Sequence, residues 1–246
     1  MATKTADRRT ELAEGRALAR SDVYRLLSEA LVYPSADSMV ARLDEGILRG
    51  QQAAPLPERV AALLAALVEH TRDTDTSHLQ SQHRRIFSHV VSADCPPCET
   101  LYTARHVFQE TADLSDIAGF YRAFGLQLAG KERPDHITVE LEFMHFLTYK
   151  EAYAFSHHGS AKARLCREAE RKFLRDHLGR WAARFGQRLA QKAGSGYYGC
   201  VACLLEAWVS AEMDFLRVAP EVAPVEQEWS KPRPDDFNCP FAEAGT

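Results

Sequence analysis

Apolar residues recur at three- and four-residue intervals along most of this 246-residue chain, and no segment sustains the two-residue alternation of a strand. We therefore predict an all-α fold, a single helical-bundle domain of about eight to ten helices. The helical pattern covers residues 7–31, 35–50, 57–68, 77–87, 107–124, 134–158, 161–193 and 197–218.

Proline, glycine and capping residues set the predicted boundaries. Ser77, with Gln80 three residues later, resembles a capping box, and Gly125 is expected to end its helix in the left-handed conformation. Gly179 marks a possible bend in the 161–193 helix. The domain is predicted to span residues 1–218, and five prolines make 219–246 an extended or disordered tail.

Composition narrows the function classes. The chain has 30 Lys and Arg against 34 Asp and Glu, a net charge of −4, which disfavours a nucleic-acid partner. The apolar run that contains Ala61–Val68 is too short to span a bilayer. Arg8-Arg9 is not followed by the apolar stretch of an export signal. These features predict a cytoplasmic protein with no membrane span.

Two cysteine pairs raise the question of a metal. Cys95 and Cys98 form one pair and Cys200 and Cys203 the other, so four thiolates could in principle chelate one Zn²⁺. The alternative is that the helical pair consists of small core residues and that the first pair flanks the rigid Pro96-Pro97 turn. The wide separation of the pairs favours the alternative, and we predict no cofactor.

Glu142 and His145 have the Glu-x-x-His spacing of half a di-iron site. Such a site needs the motif twice, and no other histidine has a glutamate three residues before it. A metal-dependent helical-bundle oxidoreductase is thus a secondary hypothesis, and a generic helical protein-binding scaffold is another.

The start of the helix after Pro134 carries several polar groups. Asp135 can cap the helix, and His136 lies one turn before Glu140, where it could be held as an imidazolium. Capping alone would explain the aspartate. The functional alternative is an acidic patch beside an apolar groove, suited to a peptide with arginines followed by hydrophobic residues.

Three segments together resemble the TorD/DmsD/NarJ family of molybdoenzyme maturation chaperones. Pro134–Met144 is similar to the family's Pro-Asp-His and Glu-Leu-x-Phe-Met signature, and Phe173–Trp181 is similar to its Phe-Leu-x-x-His-Leu-x-x-Trp segment. Cys95–Thr100 resembles a Cys-Pro-Pro-Tyr-Glu stretch of the branch that serves nitrate reductase and ethylbenzene or dimethylsulfide dehydrogenase relatives, with Cys98 in place of the tyrosine.

The resemblance implies a non-enzymatic, cytoplasmic chaperone, monomeric or homodimeric. Its partners would be the apo catalytic subunit of a DMSO-reductase-family molybdoenzyme and the twin-arginine signal peptide of that subunit. The chaperone would assist cofactor insertion and delay export until maturation. Asp135, His136 and Glu140 would bind the signal peptide, and Asp135→Ala would weaken binding with little change in melting temperature. The supporting or loop residues would be Pro134, Glu142, Cys95, Cys98 and Glu99.

Overall fold

The computed structural model describes residues 2–35, 55–72, 74–87, 94–129 and 132–221, and it confirms the all-α prediction. One segment, Leu174–Leu178, is a π-helix. The α-helices are α1 (Ala2–Leu31), α2 (Glu58–Arg72), α3 (Thr76–Phe87), α4 (Thr100–Thr103), α5 (Val107–Ala123), α6 (Ile137–His157), α7 (Ser160–Phe173), α8 (Gly179–Ala193) and α9 (Tyr197–Leu216).

The described part of the chain contains no strand, only an isolated antiparallel bridge between Cys98 and His136. The predicted helix at 35–50 lies almost wholly outside the described residues, and so does the predicted tail beyond residue 221. Gly125 has the predicted left-handed backbone, with φ of 73°. The predicted capping box is wrong, because α3 begins one residue earlier and Asp75 Oδ2 accepts a hydrogen bond from the Ser77 N–H at 3.2 Å.

Long helices pack side by side around one apolar core. α1 lies along α6, and α6 also packs against α7. α9 fills the space between α8 and α2. Two tryptophans, Trp181 and Trp208, are the largest fully buried side chains. Burial of such aromatic residues is the main source of stability in a bundle of this kind.

A buried cluster of charges joins four helices. The Arg20 guanidinium on α1 donates hydrogen bonds to Glu151 on α6 at 2.9 Å and to Glu170 on α7 at 2.7 Å. It also donates to both carboxylate oxygens of Glu212 on α9. Arg167 forms a second ion pair with Glu151. All three glutamates are buried, so each depends on these arginines for compensation of its charge.

The predicted bend near Gly179 is a π-helix. A Cβ on Gly179 would collide with the backbone carbonyl oxygen of Leu174, so glycine is required where the widened turn meets α8. The turn carries His177, which is 3% exposed. Single π-turns inserted between α-helices are frequent at functional sites.

The charge cluster predicts a pH dependence of stability. Burial, opposed by the charge of Arg20, raises the pKa of Glu170 from 4.5 to about 7. The folded state therefore binds this proton more tightly than the unfolded chain, and the resulting stabilisation is complete below pH 4.5 and lost as the pH rises through 7. We expect Glu170→Gln to remove up to about 3 kcal/mol of the decline in unfolding free energy between these limits.

Denaturant unfolding across this pH range provides the measurement. Glu168→Gln on the same helix is the matched control, because the Glu168 side chain is 70% exposed and should leave the pH profile unchanged. Parallel profiles for the wild-type protein and Glu170→Gln would show that Glu170 does not hold the proton.

Candidate functional site

The three segments that carry the family resemblance meet at the start of α6. The loop before α4 is held against the turn before α6 by two backbone hydrogen bonds. Glu99 N–H donates to the Asp135 carbonyl at 2.9 Å, and Ile137 N–H donates to the Pro97 carbonyl at 2.8 Å. The loop and the turn thus form one unit, and the π-helix packs beside it through His177.

Asp135 is fully buried in this unit. Its Oδ2 accepts hydrogen bonds from the Thr100 N–H at 3.1 Å and the Thr100 hydroxyl at 2.7 Å, and Arg133 Nε donates to Oδ1 at 2.9 Å. Asp135 therefore does not cap α6. Its substitution removes buried hydrogen bonds, so the expectation that Asp135→Ala would leave the melting temperature nearly unchanged does not fit this geometry.

His136, rather than Asp135, is the N-cap of α6. Its Nδ1 accepts a hydrogen bond from the Thr138 N–H at 3.3 Å. Burial lowers the pKa of His136, which disfavours the predicted imidazolium. The predicted ion pair with Glu140 is also wrong, because the carboxylate facing the imidazole is that of Glu132, 3.9 Å from Nε2.

Glu140 lies in the interior, where it accepts a hydrogen bond from the indole N–H of Trp181 at 3.1 Å. Burial and the neighbouring carboxylate of Glu99 raise the pKa of Glu140. Glu99 is also buried, and its Oε2 lies 3.2 Å from Nδ1 of His177. Burial lowers the pKa of His177, but its contacts with Glu99 and Asp116 outweigh burial and raise it overall. A buried polar network of Glu99, Glu140, His177 and Trp181 thus fixes the position of α6.

An apolar groove opens on the other side of the α6 N-terminus. Its volume is about 540 Å³, within the range of ligand-binding clefts. Two carboxylates, Glu132 and Glu142, stand among its lining residues. The apolar lining comes from the residue after α1, from α5 and α6 and from the segment after α5, and consists of Val32, Tyr121, Leu126, Leu128, Ala129, Val139, Phe143, Phe146 and Tyr149.

The five cysteines among the described residues are buried or half-buried free thiols. Burial raises the pKa of Cys95 and of Cys98 to about 12, and that of Cys200 to about 11. Within the described residues, no three His, Cys, Asp or Glu side chains are grouped so that they could hold a metal ion, and the two cysteine pairs do not come together. Cys200 Sγ instead donates to the Leu63 carbonyl at 3.5 Å.

Both members of the Glu-x-x-His pair line the groove. Glu142 is exposed, and His145 is half-buried with its Nδ1 2.8 Å from the Ser21 hydroxyl on α1. The histidine thus joins two helices. Of the residues predicted to bind or support the leader, only Glu142 lines the groove. His136 lies between the groove and the loop unit. The others belong to the loop unit or to the buried network: Pro134, Asp135, Glu140, Cys95, Cys98 and Glu99.

Sequence reasoning did not identify the remaining groove residues. Residues 126–132 lie between the predicted helices 107–124 and 134–158, and the sequence predicts only a loop there. One feature of the sequence could have indicated the groove: the loop contains the apolar residues Leu126, Leu128 and Ala129. A cluster of apolar residues in a loop often marks a binding surface.

Comparison with known proteins identifies the family. The family model described as nitrate reductase delta subunit matches residues 53–187, more than half of the chain. The chain belongs to this family. The match confirms the resemblance recognised in the three sequence segments, and the matched region contains Cys95–Thr100, Pro134–Met144 and Phe173–Trp181.

Curated relatives of the delta-subunit family are assembly chaperones by name. The chain is 29% identical over 209 residues to the perchlorate reductase assembly chaperone protein of Dechloromonas aromatica, which covers 81% of this chain and 90% of the relative. It is 36% identical over 89 residues to the selenate reductase assembly chaperone protein of Thauera selenatis, covering 35% and 45%. The family match and these relatives confirm the prediction of a chaperone rather than an enzyme.

A solved structure of a putative redox enzyme maturation protein from Archaeoglobus fulgidus also matches, with a TM-score of 0.37 and 22% identity over 63% of this chain and 93% of that chain.

No helix in the described part of the chain combines the length and apolar character needed to cross a membrane.

The buried network of this family member gives a stability prediction. We expect Trp181→Phe to lower the free energy of unfolding by about 1–3 kcal/mol more than Trp208→Phe, because Trp181 alone donates its indole N–H to a buried carboxyl group. Trp208 is equally buried, and its N–H has no hydrogen-bond partner among the described residues. Denaturant unfolding of both variants measures the difference, and equal losses would show that the hydrogen bond contributes nothing.

Proposed function

We propose that this protein is a cytoplasmic assembly chaperone for the catalytic subunit of a molybdenum-dependent reductase. It binds the apo subunit and its twin-arginine leader, assists insertion of the molybdenum cofactor and delays export until insertion is complete. The names of the two curated relatives, which refer to perchlorate and selenate reductases, support a client of this class.

The observation that carries the proposal is the groove beside α6. A twin-arginine leader combines two guanidinium groups with an apolar segment, and the groove combines exposed carboxylates with an apolar floor. An apolar peptide segment that folds as a helix in such a groove is a recurrent mode of recognition. The carboxylates of Glu132 and Glu142 would accept hydrogen bonds from the arginines.

The residues first predicted to bind the leader have a different role in this proposal. Asp135 and Glu140 are fully buried, so neither contacts a peptide directly. They hold the turn before α6 and the helix itself in place, and α6 provides much of the groove. Asp135 and Glu140 are therefore positioning residues, and Glu142 is the contact residue.

Substitution of the exposed carboxylate tests this assignment. We expect Glu142→Gln to weaken binding of a twin-arginine leader peptide by about 1 kcal/mol, since an exposed ion pair contributes no more than that. The loss should shrink as salt is added, because ions screen exposed charges. Isothermal titration calorimetry at low and high salt measures both effects.

Glu69→Gln provides the matched control, because Glu69 is an exposed glutamate on α2, away from the groove. Equal affinities for the wild-type protein and Glu142→Gln at low salt would remove Glu142 from the binding surface. A leader that fails to bind the wild-type protein at all would overturn the proposed function.

A further inference from the structure

The apolar surface of α6 extends beyond the groove. Four side chains follow one another on the outward face of this helix at intervals of four, three and four residues: Glu142, Phe146, Tyr149 and Tyr153. Residues so spaced lie on one face of an α-helix. Tyr149 and Tyr153 are 51% and 44% exposed, and Tyr153 lies one turn beyond the last groove residue of α6. We call these four residues the α6 row.

The α6 row is electrically asymmetric. Its first member is a glutamate, and Glu132 lines the same groove near the start of the helix. The Lys150 ammonium group lies 5.5 Å from the centre of the ring of Phe146, the second member of the row. The last turn of α6 adds His157, whose ring stacks on Tyr153 at 4.0 Å. The carboxylates therefore lie at the first end of the row, and the lysine cation follows them along the helix.

We infer that a leader lies along α6 in one direction, with its arginine pair at Glu132 and Glu142 and its apolar segment over Phe146, Tyr149 and Tyr153. This inference rests on the proposed function and adds an orientation and a longer contact surface. A leader in the opposite direction would place its guanidinium groups at Tyr149 and Tyr153, where Lys150 separates them from both groove carboxylates and repels like charges.

The length of the row sets the length of leader that it recognises. Glu142 and Tyr153 are eleven positions apart, which corresponds to about 16 Å along a helix. With the arginine pair at Glu142, an apolar helical segment of about two turns covers the seven positions from Phe146 to Tyr153. An apolar segment of about one turn covers Phe146 and does not reach Tyr153.

Two synthetic peptides separate these contacts. Each carries two adjacent arginines followed by a leucine- and alanine-rich segment, about one turn long in the first peptide and about two turns long in the second. We expect the double substitution Tyr149→Ser and Tyr153→Ser to weaken binding of the long peptide about tenfold and that of the short peptide less than about twofold. Leu165→Ser is the control, because Leu165 on α7 is 63% exposed and lies outside the α6 row.

A long peptide whose affinity survives the double substitution would overturn the extended surface. Failure of both peptides to bind the wild-type protein would overturn the proposed function and this inference together. The two failures are therefore distinguishable.

The direction of binding requires a separate measurement. A photoreactive benzophenone at the apolar end of the long peptide should crosslink to the turn that contains Tyr149 and Tyr153, as mapped by mass spectrometry of the full-length protein. Crosslinks to residues 132–139 from the same position would overturn the orientation, while still being consistent with leader binding in the groove.

Discussion

The packing of four helices in the bundle depends on the guanidinium group of Arg20. It donates to carboxylates from α6, α7 and α9 at once and thereby fixes α1 against three other helices. Removing one partner of a buried ion pair typically costs about 3–5 kcal/mol, because the remaining charge loses its compensation. The same helix carries Ser28, and Val32 follows its last residue; both line the groove, so the cluster helps to position one groove wall.

A second polar network, centred on Glu99 and Glu140, positions the other wall. It joins the loop before α4, the first turns of α6 and the π-helix, and its members are buried. The residues that define the family resemblance are thus largely interior residues. They specify the placement of α6, and the surface that a partner would contact is formed by side chains outside the network, such as Glu132 and Tyr149.

Periodicity in the sequence was sufficient to predict the fold class and most helices, because an apolar face repeats within a single helix. It could not predict the Arg20 cluster, since Arg20 and Glu212 are 192 positions apart and periodicity indicates a buried face without its partner. Asp135 and Glu140, which were predicted to bind the leader directly, are buried instead of exposed. Asp135 had the pattern of a helix cap, and its bond to the distant Thr100 depends on tertiary contacts.

The groove's exposure also bears on how tightly a chaperone of this design binds. Exposed carboxylates select for guanidinium groups but contribute about 1 kcal/mol or less each. Micromolar affinity corresponds to about −8 kcal/mol, so most of it must come from the apolar floor. In the proposed complex, the charged edge of the groove would thus provide selectivity for arginine, and its apolar floor would provide most of the affinity.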